Sequence, residues 1–106
     1  MTNLHYVLIG QTPVVEPDLL TWARWFETAE RTVARTDVRG GVVSTVFLGL
    51  DHNYSGNGSP VLFETMSFID GESDDCERCS TWMQAEKQHR LMVEKYSAVA
   101  PQQSES

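Results

Sequence analysis

Basic side chains are scarce in this sequence. Lys and Arg together number 8 against 15 Asp and Glu, which leaves a formal net charge of −7. Phosphate neutralisation needs clustered Lys and Arg, so direct binding to DNA, RNA or an anionic membrane is not expected. Long apolar runs are missing too, and nothing approaches the roughly 20 residues of a membrane-spanning helix. The first residues, Met1-Thr2-Asn3-Leu4-His5-Tyr6, lack the basic flank of a secretory leader, and their apolar run breaks at Gly10-Gln11. A cytoplasmic location is therefore expected. Cysteine is limited to Cys76 and Cys79, too few for a disulfide framework, and both are expected to be reduced. A phosphate-cradling glycine loop, a nucleophile elbow and a His-Glu-x-x-His helix are all absent, which argues against the enzyme classes that depend on them.

What remains is ordinary globular material. Hydrophobic residues make up 41% and charged residues 22%, and three tryptophans argue against disorder. A chain of 106 residues fits one domain. We place that domain at residues 1–97, followed by a flexible, polar tail over 98–106 that includes Pro101-Gln102-Gln103-Ser104-Glu105-Ser106.

Along the chain, Leu4 to Ile9 reads as a first strand. Pro13 and Pro17 make Gln11 to Pro17 irregular or an edge segment. Asp18 is a good N-cap, and Leu19, Trp22, Ala23, Phe26 and Ala29 recur at helical spacing, which predicts a helix from Asp18 to about Glu30. Arg31 to Val38 alternates as a half-buried strand. After Gly40-Gly41, the run Val42 to Leu50 is apolar on both faces and reads as the central strand, with Gly49 marking a bulge or a close backbone approach. Asp51 to Ser59 is a long polar loop. Pro60 opens a strand over Val61 to Phe68, Asp70 to Asp75 reads as an acidic turn, and Cys76 to Cys79 as a short edge strand. Thr81 and Gln84 fit a capping box at the start of a second helix, whose apolar face carries Trp82, Ala85, His89, Met92, Val93 and Tyr96. The predicted fold class is α+β: a mostly antiparallel sheet of four or five strands, with two amphipathic helices on one face, in the order β-α-β-β-β-(β)-α. Phe47, Phe63 and Phe68 raise the prospect that the other face packs against a second subunit, so a homodimer is expected.

Six residues stand out as candidates for binding a ligand or partner. Asp51, His52 and Tyr54 sit in the long loop, and Glu64 follows on the next strand. A carboxylate beside an imidazole can do acid–base work or bind a metal, so a small metal-binding protein or hydrolase-like enzyme using Asp51, His52 and Glu64 is the alternative function. Trp25 beside the first helix's apolar stripe is a candidate interface anchor. His89 lies on the apolar face of the second helix, where a hydrogen-bonded core histidine is the plainer reading. Cys76-Glu77-Arg78-Cys79 resembles half a zinc site, but it has no second pair, so no metal site and no cofactor are assigned. No catalytic residue is assigned either. The acidic stretch from Asp70 to Glu77 does not match a calcium loop.

Two segments carry a resemblance. Val43-Ser44-Thr45-Val46-Phe47-Leu48-Gly49-Leu50-Asp51-His52, followed by Pro60-Val61-Leu62-Phe63-Glu64-Thr65-Met66, resembles a family of small uncharacterised proteins of tailed bacteriophages and prophages. The Leu20-to-Glu27 helix and the Cys79-to-Ala85 segment, with His89 beyond it, are similar to that family too. The resemblance implies phage origin and a place in the bacterial host cell, and it brings no catalytic residues. The function expected on this basis is a non-enzymatic accessory protein that binds a host protein or a small nucleotide. An anti-defence factor, such as a CRISPR inhibitor or a signalling-nucleotide sponge, fits that description.

Overall fold

In chain order the elements are β1 (Tyr6–Ile9), β2 (Thr12–Val15), α1 (Leu19–Thr28), β3 (Thr32–Val38), β4 (Gly41–Phe47), β5 (Phe63–Ile69), β6 (Glu72–Cys79) and α2 (Trp82–Glu105). The computed structural model describes residues 5–55 and 57–105, with side chains described up to residue 97. The tail expected from residue 98 therefore falls where side chains lie outside the described residues.

β3, β4, β5 and β6 form an antiparallel sheet in that spatial order, a simple meander. Because side chains alternate along a strand, pairing β4 with β5 sorts them into two faces. Val43, Thr45 and Phe47 lie opposite Ser67, Thr65 and Phe63, and all six are buried. α2 lies on this inner face. The opposite face carries Val42, Ser44, Val46, Glu64, Met66 and Phe68, with Phe68 37% exposed.

The helices begin where side chains satisfy their free N–H groups. Asp18 Oδ2 accepts from Thr21 N–H at 3.2 Å and caps α1. Thr81 and Gln84 form the expected capping box on α2: Gln84 N–H donates to Thr81 Oγ1, and Thr81 N–H donates to Gln84 Oε1, both at 3.1 Å. Trp25 of α1 meets Phe47 edge-on at 5.9 Å, and Trp82 of α2 meets Phe63 edge-on at 6.2 Å. The buried core comprises Val7, Val43, Phe47, Leu62, Phe63, Ala85 and Met92; within it Phe47, Leu62, Phe63 and Ala85 form one cluster, ringed by Tyr6, Leu8, Trp25, Val33, Cys79 and Trp82.

The α+β meander matches the sequence reading, and three details correct it. First, β1 stays out of the main sheet. It pairs with β2, from Tyr6↔Val15 to Ile9↔Thr12, and reaches the main sheet through an isolated His5↔Leu50 bridge and the Tyr6 N–H to Gly49 C=O bond. Second, β4 ends at Phe47 and not at Leu50, because Gly49 takes a left-handed φ of +78° and redirects the chain. That glycine is the close approach that the sequence suggests: a Cβ there would lie 2.9 Å from Phe26 Cε1. Third, the acidic turn is only Asp70-Gly71. These two residues, at φ of 54° and 85°, close a tight hairpin, and the acids from Glu72 onward belong to β6.

Candidate functional site

The loop after β4 is built around its own side chains. Asp51 is 8% exposed, and its Oδ1 accepts from Asn53 N–H at 2.8 Å and Val61 N–H at 2.9 Å. His52 N–H donates to Val61 C=O at 2.9 Å, and its Nδ1 donates to Leu50 C=O at 2.9 Å. Asn53 Nδ2 donates to the carbonyls of Asn57 at 2.6 Å and Ser59 at 2.9 Å, while Ser55 Oγ donates to Asn53 Oδ1 at 2.6 Å. Polar side chains bonded to nearby backbone replace the ladder that a loop lacks. The result is an internally pinned loop that presents Tyr54, 78% exposed, with its ring centroid 6.0 Å from that of His52.

Glu64 does not join this loop. It lies on the outer face of β5, where Arg78 of β6 reaches it with Nε at 3.0 Å and Nη2 at 2.9 Å. The Cys76 thiol donates to the same carboxylate at 3.6 Å. Asp51 is occupied as a backbone staple and Glu64 as the partner of an arginine. No group of three or more His, Cys, Asp or Glu among the described residues could hold a metal ion. Asp51 and Glu64 thus sit in separate hydrogen-bonded settings, one in the loop and one on the outer face of the sheet.

His89 is enclosed between α2 and the sheet, 7% exposed. Its Nε2 is 2.9 Å from Thr36 Oγ1, its Nδ1 is 2.9 Å from Thr45 Oγ1, and Thr45 Oγ1 is 2.7 Å from Thr65 Oγ1. In a neutral ring one nitrogen donates and the other accepts, and rotatable hydroxyls satisfy both. Burial pulls the imidazole's pKa below its ordinary value, favouring that neutral form. Two residues further along β5 from Thr65, Ser67 Oγ lies 2.7 Å from Tyr96 Oη and accepts from Asp75 N–H at 2.8 Å, while Tyr96 also donates to Asp74. Sequence reading missed these hydroxyls. Their one local signal is Thr45, which strand alternation sets between Val43 and Phe47 on one face.

The remaining candidates also have structural roles. Trp25 is half-buried against Phe47. Cys76 pairs with Met66 on the outer face, and Cys79 pairs with Phe63 on the inner one. Three residues apart on a strand means opposite faces, so the two thiols cannot grip one metal. Burial pushes both thiols up in pKa, and Glu64 adds to the effect on Cys76. Neither thiol is activated toward nucleophilic attack.

Beside the Tyr54 loop, a shallow groove of about 450 Å³ runs between the end of β6 and α2, lined by Val61, Arg78, Cys79, Gln84, Lys87 and Leu91 among others. Gln88 also lines it, with Nε2 donating to Arg78 C=O at 2.9 Å. No protein-family model, curated protein or solved structure matches the chain.

Proposed function

We propose that this chain is a non-enzymatic accessory protein of a tailed bacteriophage that binds a host protein, with the Tyr54 loop as its contact surface. One observation carries the reading: an exposed tyrosine stands on a loop held in shape by its own side chains. Aromatic side chains dominate interface hot spots, and a pre-ordered loop loses little freedom on binding. The groups with chemical potential point the same way, since Asp51, His89, Glu64 and both thiols serve the fold. Phage origin rests on the resemblance of the Val43-to-His52 and Pro60-to-Met66 segments. The net charge of −7 suits a basic protein surface, including one that ordinarily holds nucleic acid, and this supports an anti-defence role such as inhibition of a CRISPR effector.

The test is capture of a host protein from bacterial lysate by the wild type and by Tyr54→Ala, with nucleotide extraction of the purified protein alongside. A partner retained by the wild type and lost by the variant, at unchanged melting temperature, is the expected result. Equal capture by both proteins would remove the loop from the reading. A stoichiometric bound nucleotide would replace it with the signalling-nucleotide sponge.

A further inference from the structure

A sheet edge leaves backbone N–H and C=O groups unpaired, and natural proteins block such edges. Two of the free edges here are blocked. β2 contains Pro13, which has no N–H to offer. β6 is interrupted by a register shift opposite Ser67/Phe68 and carries Glu72, Asp74, Asp75 and Glu77. On β6 the Arg78 carbonyl accepts from Gln88 Nε2, and the Cys76 N–H donates to Asp75 Oδ1. β3 differs. Beyond an irregularity between Thr32 and Ala34, the stretch from Ala34 to Val38 runs in unbroken register beside β4 and has no proline and no lysine.

The backbone direction of that stretch is fixed by its neighbours. Phe47 N–H donates to Arg31 C=O and Leu48 N–H to Leu62 C=O, both at 2.7 Å, so odd-numbered β4 residues bond towards β3 and even-numbered ones towards β5. Thr36 lies opposite Val43 and Val38 opposite Gly41, so Ala34, Thr36 and Val38 bond to β4. Arg35 and Asp37 therefore turn their N–H and C=O groups outward. Their side chains share the outer face, opposite Ser44 and Val42, and both residues are exposed. Neither has an ion-pair partner among the described residues.

We propose that the chain forms a two-fold dimer by antiparallel pairing of β3 with β3 of a second copy, with Thr36 opposite Thr36 and Arg35 opposite Asp37. The pattern selects this register. An outward-facing residue must meet another outward-facing residue for the ladder to form, which excludes one-residue slips. Sliding to the next allowed register sets Arg35 against Arg35 in one direction. In the other it sets Asp37 against Asp37 and Arg35 against Arg39. The central register instead makes two Arg–Asp pairs directly across the junction, the favourable cross-strand arrangement. The interface is isologous and closed, so it ends at two copies. It joins the two sheets into one eight-stranded sheet with both α2 helices on the same face. The dimer does not rest on the Tyr54 reading, but it would display two such loops to a target.

Light scattering after size exclusion, at on the order of 100 µM protein where a weak dimer is populated, is the test. The wild type is expected at twice the 12.0 kDa chain mass. Arg35→Asp and Asp37→Arg each place like charges across the junction and should run at the monomer mass. The double variant R35D/D37R restores opposite charges and should return to the dimer. Arg35→Pro removes an outward N–H that the monomer does not use, so it should be monomeric with an unchanged far-ultraviolet spectrum. A monomeric wild type, a dimer indifferent to the single reversals, a double reversal no better than the singles, or an oligomer that survives Arg35→Pro would each overturn the proposal. None of these readouts involves the host target, so failure here leaves the loop reading standing.

Discussion

Gly49→Ala tests the junction that holds the N-terminal third of the chain to the sheet. Gly49 sits at φ +78°, where an L side chain costs about 1–2 kcal/mol. The added methyl would also lie 2.9 Å from Phe26 Cε1, 3.1 Å from Cδ1 and 3.6 Å from Trp22 Cζ2. Phe26 is poorly placed to retreat. The Arg31 guanidinium lies 4.0 Å over its ring, and its centroid is 4.8 Å from that of Trp22. Trp22 is itself tied down, with Nε1 donating to Tyr6 C=O at 3.0 Å and Gly49 C=O at 3.1 Å. Relief therefore means moving α1 off the sheet, and overpacking of that kind costs about 1–3 kcal/mol. The expected total is about 2–5 kcal/mol.

Gly71→Ala is the matched control. Gly71 has φ +85°, but a Cβ there meets nothing within 4 Å, so only the backbone cost of about 1–2 kcal/mol applies. Urea unfolding followed by tryptophan fluorescence and by far-ultraviolet dichroism measures both variants. Protein concentration is held fixed, because a dimer makes apparent stability depend on it. The midpoint for Gly49→Ala should fall clearly below that for Gly71→Ala at similar slope. Equal midpoints would refute the close packing of α1 on Gly49.

Thr45→Val removes the hydroxyl shared by Thr65 and His89 Nδ1 and should destabilise by about 1–3 kcal/mol in urea, since both partners stay buried; a neutral substitution would show that the network carries no weight. The His89 pKa is lowered by burial, so the unfolded chain binds the proton more readily than the folded one. Stability should therefore be full above about pH 7 and fall as pH drops through the unfolded value of about 6.5, and His89→Gln should flatten that slope; a wild-type curve level from pH 7 to 5 would contradict it. The carboxylate of Asp75, held low by its hydrogen bonds from Lys95 and from the Cys76 N–H, acts in a separate, more acid window. Glu64→Gln should speed iodoacetamide alkylation of the exposed Cys76 at pH 8, because Glu64 adds to the burial that raises this thiol; an unchanged rate would show that the carboxylate does not reach it.

Much of the fold was legible because its signals are local. Asp18 before an apolar stripe and Thr81 three residues before Gln84 mark helix starts that the structure keeps. The alternation in Thr32–Val38 and the apolar run from Val42 belong to paired strands. The second half of β6, Cys76 to Cys79, was legible as an edge strand, whereas its first half, Glu72 to Asp75, was hidden by composition. Glu and Asp are poor strand formers, yet long-range pairing with β5 overrides that preference, and Lys95 and Tyr96 on α2 donate hydrogen bonds to Asp75 and Asp74. The Asp70-Gly71 pair was the stronger signal in that stretch, since Asp-Gly suits a two-residue hairpin turn. β1 stays out of the main sheet and instead pairs with β2 across the Gly10-Gln11 turn, where Gly10 has φ +64°; the sequence shows that turn only as a break in an apolar run.

The candidate site was legible in position and not in chemistry. Strand alternation separates Glu64 from Phe63 and Thr65, so the same period that marks the strand already turns Glu64 away from the core. For Asp51 the deciding contact is Val61 N–H, ten positions on, and for His89 it is Thr45 and Thr36, 44 and 53 positions back. No local pattern announces such partners, so a carboxylate beside an imidazole reads as reactive until the backbone around it is known. Once those groups are assigned to the fold, the Tyr54 loop and the β3 edge are two surfaces still open to a partner, alongside other exposed apolar side chains such as Met83 and Leu91. Tyr54 has area without burial, and β3 has hydrogen-bonding groups without a ladder. A second copy can complete the strand edge, because Arg35 and Asp37 complement themselves under a two-fold axis. That pairing does not use Tyr54, so the proposed dimer leaves the loop available to the proposed host target.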